Sequence, residues 1–210
     1  MATYCALHLR TTELDRVIAD LGDWLRRAHD QGVSVEGDQH WPDVYGDAFC
    51  VELTRPTLFA VGRLDSHWVI AHFNCFSDMA NPAAELSERF AAPVVVINAQ
   101  STSDAYLLAV YDGGATRRVL ESGDGLTRNE GEPFAFEGEI FGIDDDELPP
   151  TDEWAFGADE LEALCARLGL RVWDHPEASD GPQHWSVIRV ATGVRPRWLA
   201  RLSERLGLRR

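Results

Sequence analysis

The sequence predicts an α+β protein: a largely antiparallel sheet with helices packed mainly on one face, plus a small C-terminal α/β lobe. Segments in which apolar residues alternate or run continuously outnumber segments with a helical period. Turn residues such as Asp112-Gly113-Gly114 separate several of these strands, and strands joined by short hairpins pair antiparallel. The predicted order is β-α-β-β-β-α-β-β-β before the chain becomes strongly acidic. This order favours a sheet built from hairpins over a parallel sheet with alternating helices.

The first strand and the first helix follow from their apolar patterns. Residues 3–9 alternate between two faces, as a strand requires. The next residues recur with the helical period as far as about Gln31, where Gly32 is a suitable C-cap. Thr12 and Asp15 resemble a capping box with a shortened acid, so we expect the helix to begin there.

A loop and a hairpin are predicted next. Residues 33–47 are rich in Gly, Asp and Pro, which is typical of a loop. Residues 49–53 then predict a short strand. Residues 58–64 and 67–76 predict two strands that are joined by a tight turn at Asp65-Ser66.

The second helix leads into the most apolar part of the sheet. Asn81 is a preferred N-cap residue, and Pro82 suits the first helical position. Residues 94–99 are continuously apolar, which predicts a central strand buried on both faces. Residues 104–111 and 115–121 form the clearest hairpin, since the glycines between them supply the positive φ that the turn needs.

These elements predict three parts of the chain. Residues 1–128 form an α+β core, residues 129–153 form an acidic connector, and residues 154–210 form a helix-strand-strand-helix lobe packed on the core. The lobe consists of a helix at 158–168, strands at 171–174 and 184–190, and a final helix from Pro196.

Negative charge is concentrated in the acidic connector. The net charge is −16, all 19 basic residues are Arg, and neither Lys nor Arg occurs between Asn129 and Glu160. An acidic surface repels nucleic-acid backbones, so binding of DNA or RNA is not expected. The charge favours either a basic protein partner or a contact with the Arg-rich residues 195–210; plain solubility is the alternative interpretation.

The sequence gives no sign of membrane, metal or cofactor chemistry. No apolar run approaches the roughly 18 residues that span a bilayer, and the N-terminus lacks the pattern of a signal peptide, so we expect a cytoplasmic protein. The four cysteines are widely spaced and predict buried, reduced thiols. We expect no metal site and no cofactor, because the His and Cys residues lack ligand spacing.

Residues 81–136 carry a series of short motifs. They comprise a Ser-x-x-Asp strand start at 101–104, an acidic-Gly turn at 112–114, an Arg-x-Leu return strand at 118–120 and a Gly-Glu-Pro close at 131–133. In these motifs the segment resembles a loose group of uncharacterised bacterial domains. The resemblance covers about a quarter of the chain and implies a fold but no activity and no catalytic residue.

One polar cluster carries an enzymatic alternative. His72 and Asn74 share one face of an otherwise apolar strand, and Gln100, Ser101 and Asp104 lie where a buried strand ends. If these side chains met in one cleft, the protein would be a small cytosolic hydrolase. The competing interpretation is structural, since such side chains often satisfy backbone groups in loops. No catalytic residue is assigned.

The leading hypothesis is a non-catalytic interaction protein that binds a basic protein partner; an immunity or antitoxin protein is one such case. Charge complementarity speeds the association of such pairs. The oligomeric state is not predicted. The aromatic loop and the connector supply the candidate contacts: His40, Trp41, Tyr45, Glu137, Glu139, Asp144, Asp145, Asp146 and Glu147.

Overall fold

A computed structural model describes residues 3–39, 55–100, 103–123, 125–142, 157–172 and 184–191. The described residues form one nine-stranded sheet and four helices. The strands are β1 Thr3–Arg10, β2 Val33–Gln39, β3 Leu58–Arg63, β4 Trp68–Phe73, β5 Val94–Gln100, β6 Ala105–Asp112, β7 Ala115–Gly123, β8 Gly125–Gly131 and β9 Trp185–Val190. The helices are α1 Leu14–His29, α2 Ala80–Phe90, α3 Glu137–Phe141 and α4 Ala158–Arg167.

The sheet order is β2-β9-β3-β4-β1-β5-β6-β7-β8, and every neighbouring pair is antiparallel. The predicted α+β class with a largely antiparallel sheet is therefore confirmed. The predicted C-terminal lobe is not confirmed, because β9 lies inside the main sheet between β2 and β3. The predicted strand at 49–53 and the predicted final helix lie outside the described residues.

Two apolar cores lie on opposite faces of the sheet. On the first face α1 and α2 cover side chains such as Leu7, Val96 and Ile188. On the second face α3 and α4 cover side chains such as Ile97 and Trp185. The prediction of helices mainly on one face is thus not confirmed. Burial on both faces explains why the central strands are continuously apolar.

The helix starts differ from those that the sequence predicts. The N-cap of α1 is Glu13, whose own N–H is 3.2 Å from the Thr11 hydroxyl, and no capping box forms at Thr12. Helix α2 begins at Ala80, before the predicted cap Asn81, and the Asp78 carboxylate accepts the Ala80 N–H at 3.1 Å. At each start a side chain that precedes the helix accepts an exposed amide: Thr11, one of the two threonines expected to cap α1, and Asp78 for α2.

Three segments hold regular structure where the sequence predicts loop or connector. Strand β2 occupies the first seven residues of the predicted loop at 33–47. Strand β8 and helix α3 lie partly or wholly inside the predicted connector 129–153. Conversely, Arg171 and Val172 do not form the predicted strand.

Gly131 is required by the close approach of β8 to β7. Its φ is +85°, and a Cβ placed on it would lie 2.3 Å from the Arg117 carbonyl oxygen. A strained backbone position costs about 1–3 kcal/mol, and we expect Gly131→Ala to destabilise the protein by an amount near the upper end of this range. Urea unfolding followed by circular dichroism measures the change.

Gly142→Ala is the matched control for this prediction. Gly142 also has a positive φ of +66°, but no atom of the described residues beyond its neighbours lies within 4 Å of its added Cβ. It should show only the cost of the left-handed conformation, about 1–2 kcal/mol. Equal losses from the two variants would contradict the role given to the Arg117 carbonyl.

Candidate binding surface

The described carboxylates of the acidic connector are paired within the fold. Glu130, Glu132, Glu137 and Glu139 each lie within salt-bridge distance of an arginine, at 3.0, 3.3, 2.6 and 2.5 Å respectively. The arginines belong to β7, β8 and α4: Arg128, Arg117, Arg118 and Arg167. Much of the predicted acidic face at 129–142 is therefore neutralised internally.

Glu137 is a buried structural residue, which corrects its prediction as a surface contact. It is 3% exposed, and Arg118, which is 1% exposed, donates to its two oxygens from Nε at 2.8 Å and Nη2 at 2.6 Å. The Phe134 N–H donates to the same carboxylate at 3.0 Å. Arg118 Nη1 donates to the Asn129 side chain at 2.6 Å. This network fixes α3 against β7.

Glu139 remains at the surface but has an internal partner. Its side chain is 70% exposed, and it lies 2.5 Å from Arg167 of α4. An exposed pair of this kind contributes little to stability. It nevertheless offsets the charge that a partner would meet at this position.

His72 lies in a buried aromatic cluster on the second face of the sheet. Its ring centroid is 5.1 Å from that of Tyr4 and 5.5 Å from that of Trp185. The Tyr4 hydroxyl and Nε2 of His8 are 3.1 Å apart. Burial lowers the pKa of His72 to about 3, with a smaller contribution from His8, and burial lowers the pKa of His8 to about 4. Neutral rings with such low pKa values are weak general bases at neutral pH.

Asn74 is bound to the start of β3. Its Oδ1 accepts the N–H groups of Thr57 and Leu58 at 2.9 and 3.2 Å, and its Nδ2 donates to the Thr57 hydroxyl at 2.9 Å. These contacts give Asn74 the structural role that the sequence left open as an alternative.

Gln100 and Asp104 flank the turn between β5 and β6. Gln100 is half-buried, and its carbonyl accepts the Ser103 N–H at 3.2 Å. Asp104 is exposed, has a φ of +47°, and accepts a 3.5 Å hydrogen bond from Tyr106. Ser101, the remaining member of the predicted polar cluster, lies outside the described residues. The remaining predicted contacts also lie outside them: His40, Trp41, Tyr45, Asp144, Asp145, Asp146 and Glu147.

The described cysteines are unsuited to thiolate chemistry. Burial is the main cause that raises the pKa of Cys5 and Cys165 above the usual range and that of Cys75 to about 12. Cys75 packs in the core of the first face, whereas His72 lies on the second. Within the described ranges no three His, Cys, Asp or Glu side chains are grouped to hold a metal ion, and no helix is long and apolar enough to cross a membrane.

Strand β2 is largely exposed and lies at one edge of the described sheet, and sequence reasoning missed it. Its residues from Ser34 to Asp38 are all exposed, including Val35 at 50%, the large apolar side chain that stands out at the surface of the described chain. The next residue, Glu36, is one of these exposed residues and carries a negative charge. The alternation Val-Ser-Val-Glu at 33–36 was the signal for a strand, but the Gly and Asp residues after it favoured a loop.

The backbone of β2 has one paired side and one outer side. Among the described strands, β2 pairs with β9 alone. The Ala191 N–H donates to the Gly32 carbonyl at 2.8 Å, and the register then pairs Val33 with Val190 and Ser34 with Arg189. Gly32 and Ala191 therefore form a hydrogen-bonded pair. Since hydrogen-bonded and non-hydrogen-bonded pairs alternate along an antiparallel ladder, Val33 and Val35 occupy non-hydrogen-bonded positions, and their N–H and C=O groups point away from β9.

Two irregularities limit this outer side. The register of β2 shifts between Glu36 and Gln39, and Asp38 has a φ of +58°. Asp38 also lies 2.6 Å from the exposed His184 ring. A bulge of this kind blunts an edge strand, so the regular part is the segment from Val33 to Glu36.

No protein-family profile matches the sequence, and neither the curated proteins nor the solved structures contain a significant match to it.

Proposed function

We propose that this chain is a non-catalytic interaction protein that binds a basic protein partner. The observation that carries the proposal is the composition of the β2 edge. Outward-facing backbone groups, a half-exposed Val35 and the exposed carboxylate of Glu36 occur together there. Edges of this kind form a template for another chain unless they are covered or protected by charge.

The interior supports a binding role over a catalytic one. Two described side chains of the predicted polar cluster have structural roles: Asn74 holds the start of β3, and His72 packs between Tyr4 and Trp185. The buried rings of His8 and His72 are weak bases because burial lowers their pKa values. The hydrolase alternative has no such support from the described residues, and it stays untested because Ser101 is not among them.

The charge of the chain supports a basic partner. A net charge of −16 produces a field that attracts cations and speeds the association of a basic protein. Since the described carboxylates of the connector are paired with arginines, the attraction must come from carboxylates elsewhere, and Glu36 is one that lies on the exposed edge. A basic toxin neutralised by this protein is one case that fits these requirements.

The proposal is tested by isolating a partner and measuring its affinity. The tagged chain is used to capture proteins from its own cells, and each captured protein is purified and titrated at low and high salt. We expect a basic partner whose affinity falls at least about tenfold with salt and again about tenfold in Glu36→Arg, since each tenfold step is about 1.4 kcal/mol.

Glu162→Arg is the matched control. Glu162 is exposed on α4, which packs near β6 on the other side of β1 from β2, and the substitution changes the net charge equally. It should leave most of the affinity intact. A partner that binds both variants and the parent equally at every salt concentration would show that charge has no part in recognition, and the proposal would be abandoned.

A further inference from the structure

We infer that the partner contributes an extended basic segment that pairs with β2 as a tenth strand. This inference rests on the proposed function and specifies how the partner is held. The regular edge from Val33 to Glu36 spans about 13 Å at 3.3 Å per residue, enough for a short peptide segment. Strand addition of this type obtains affinity from main-chain hydrogen bonds and specificity from alternate side chains.

The main chain provides the first argument. Val33 and Val35 each direct an N–H and a C=O outward, as the pairing of Gly32 with Ala191 requires. An added strand would satisfy these four groups with two hydrogen-bonded residue pairs. The register shift after Glu36 ends the site, because the backbone beyond it no longer continues the same ladder.

The side chains provide the second argument. Residues directly opposite each other in a sheet share a face, so a partner residue opposite Val35 would lie beside its half-exposed side chain. The residues on either side of it would lie beside Ser34 and Glu36, on the other face. The edge therefore fits a segment in which apolar and basic residues alternate, with Arg or Lys beside Glu36.

Charge decides which occupant fits. A second copy of this chain would bring another acidic edge and another net charge of −16 against the first, whereas a basic segment would neutralise it. Like charges placed opposite each other on a sheet are destabilising. We therefore assign the edge to a basic partner strand rather than to self-association.

Fluorescein-labelled peptides test this inference directly. The first probe has about eight residues in which Arg and Val alternate; the second replaces Arg with Glu. Two further probes carry N-methyl groups either on every Val or on every Arg, so that each loses the N–H donors along one edge but keeps its charge. Anisotropy titrations at low salt measure all four, and amide NMR shifts locate the binding.

We expect the Arg–Val peptide to bind, with shifts centred on Val33 and Val35, and the Glu–Val peptide to fail. Methylation on the Val edge should weaken binding about tenfold through the loss of two hydrogen bonds, and methylation on the Arg edge should leave it nearly unchanged. Glu36→Arg should also weaken binding, while the control Glu162→Arg should not.

Three outcomes would overturn the inference. They are equal binding of the two methylated peptides, binding whose amide shifts lie away from β2, and sedimentation showing a dimer that Glu36→Arg dissociates. None of these outcomes would contradict the isolation of a basic partner whose affinity depends on salt. Strand addition can therefore be disproved while the proposed function stands. Circular dichroism of each variant confirms that it is folded before it is titrated.

Discussion

Replacing Arg118 with Met is expected to lower the free energy of unfolding by about 3–5 kcal/mol, the usual cost of breaking a buried ion pair. The Glu137 carboxylate, which is only 3% exposed, would lose the guanidinium that donates to both of its oxygens. The substitution also removes the Arg118 N–H group that donates to the Asn129 side-chain oxygen. Urea unfolding at neutral pH measures the loss.

The neighbouring arginine supplies the control. Arg117→Met removes a side chain that is 44% exposed and pairs with the 86% exposed Glu132, so we expect a loss below about 1 kcal/mol. The double variant Arg118→Met with Glu137→Leu should recover part of the single-variant loss, because no charge is then left buried. If Arg118→Met and Arg117→Met were equally mild, α3 would not depend on this ion pair.

Acid is expected to destabilise the protein well above the range in which carboxylates are protonated. The pKa values of His8 and His72 are lowered by burial to about 4 and about 3, while an unfolded histidine has a pKa of about 6.5. Below pH 6.5 the unfolded chain therefore binds protons that the folded chain does not, and stability falls as the pH falls. For two such histidines the loss between pH 7.5 and pH 5 is about 4 kcal/mol.

His72→Phe is the variant that tests this pH dependence. Phe keeps an aromatic ring between Tyr4 and Trp185 but cannot be protonated, so the loss between pH 7.5 and pH 5 should fall by about half. His67→Phe, in the exposed β3–β4 turn, should leave the loss unchanged. An identical pH profile for parent and His72→Phe would rule out His72 as a source of the acid sensitivity.

The sequence predicted the interior of the sheet better than its edges. Strands β5 and β6 are buried on both sides; the continuous apolar run identified β5, and the glycine turn of the hairpin identified β6. The missed strands β2 and β8 are the two edges of the sheet among the described strands, and exposed residues such as Glu36 and Asn129 replace the apolar pattern there. The five-residue helix α3 is too short to show a helical period.

The burial of Glu137 and the internal partner of Glu139 were missed for a different reason. The count of carboxylates in residues 129–142 was correct, but local composition does not show which arginines reach them. Arg118 and Arg167 come from β7 and α4, on either side of the connector in sequence, and only the fold brings them to Glu137 and Glu139. Tertiary pairing of this kind is invisible to a charge pattern read along the chain.

The position of β9 has a consequence for biosynthesis. Strands β2 and β3 are among the first to leave the ribosome, yet each pairs with β9, which is among the last of the described strands to emerge. During translation the nascent chain must therefore hold two open strand edges in solution, which favours aggregation. A chain that terminates before Trp185 would keep those edges permanently, so premature termination should yield insoluble protein rather than a smaller folded one.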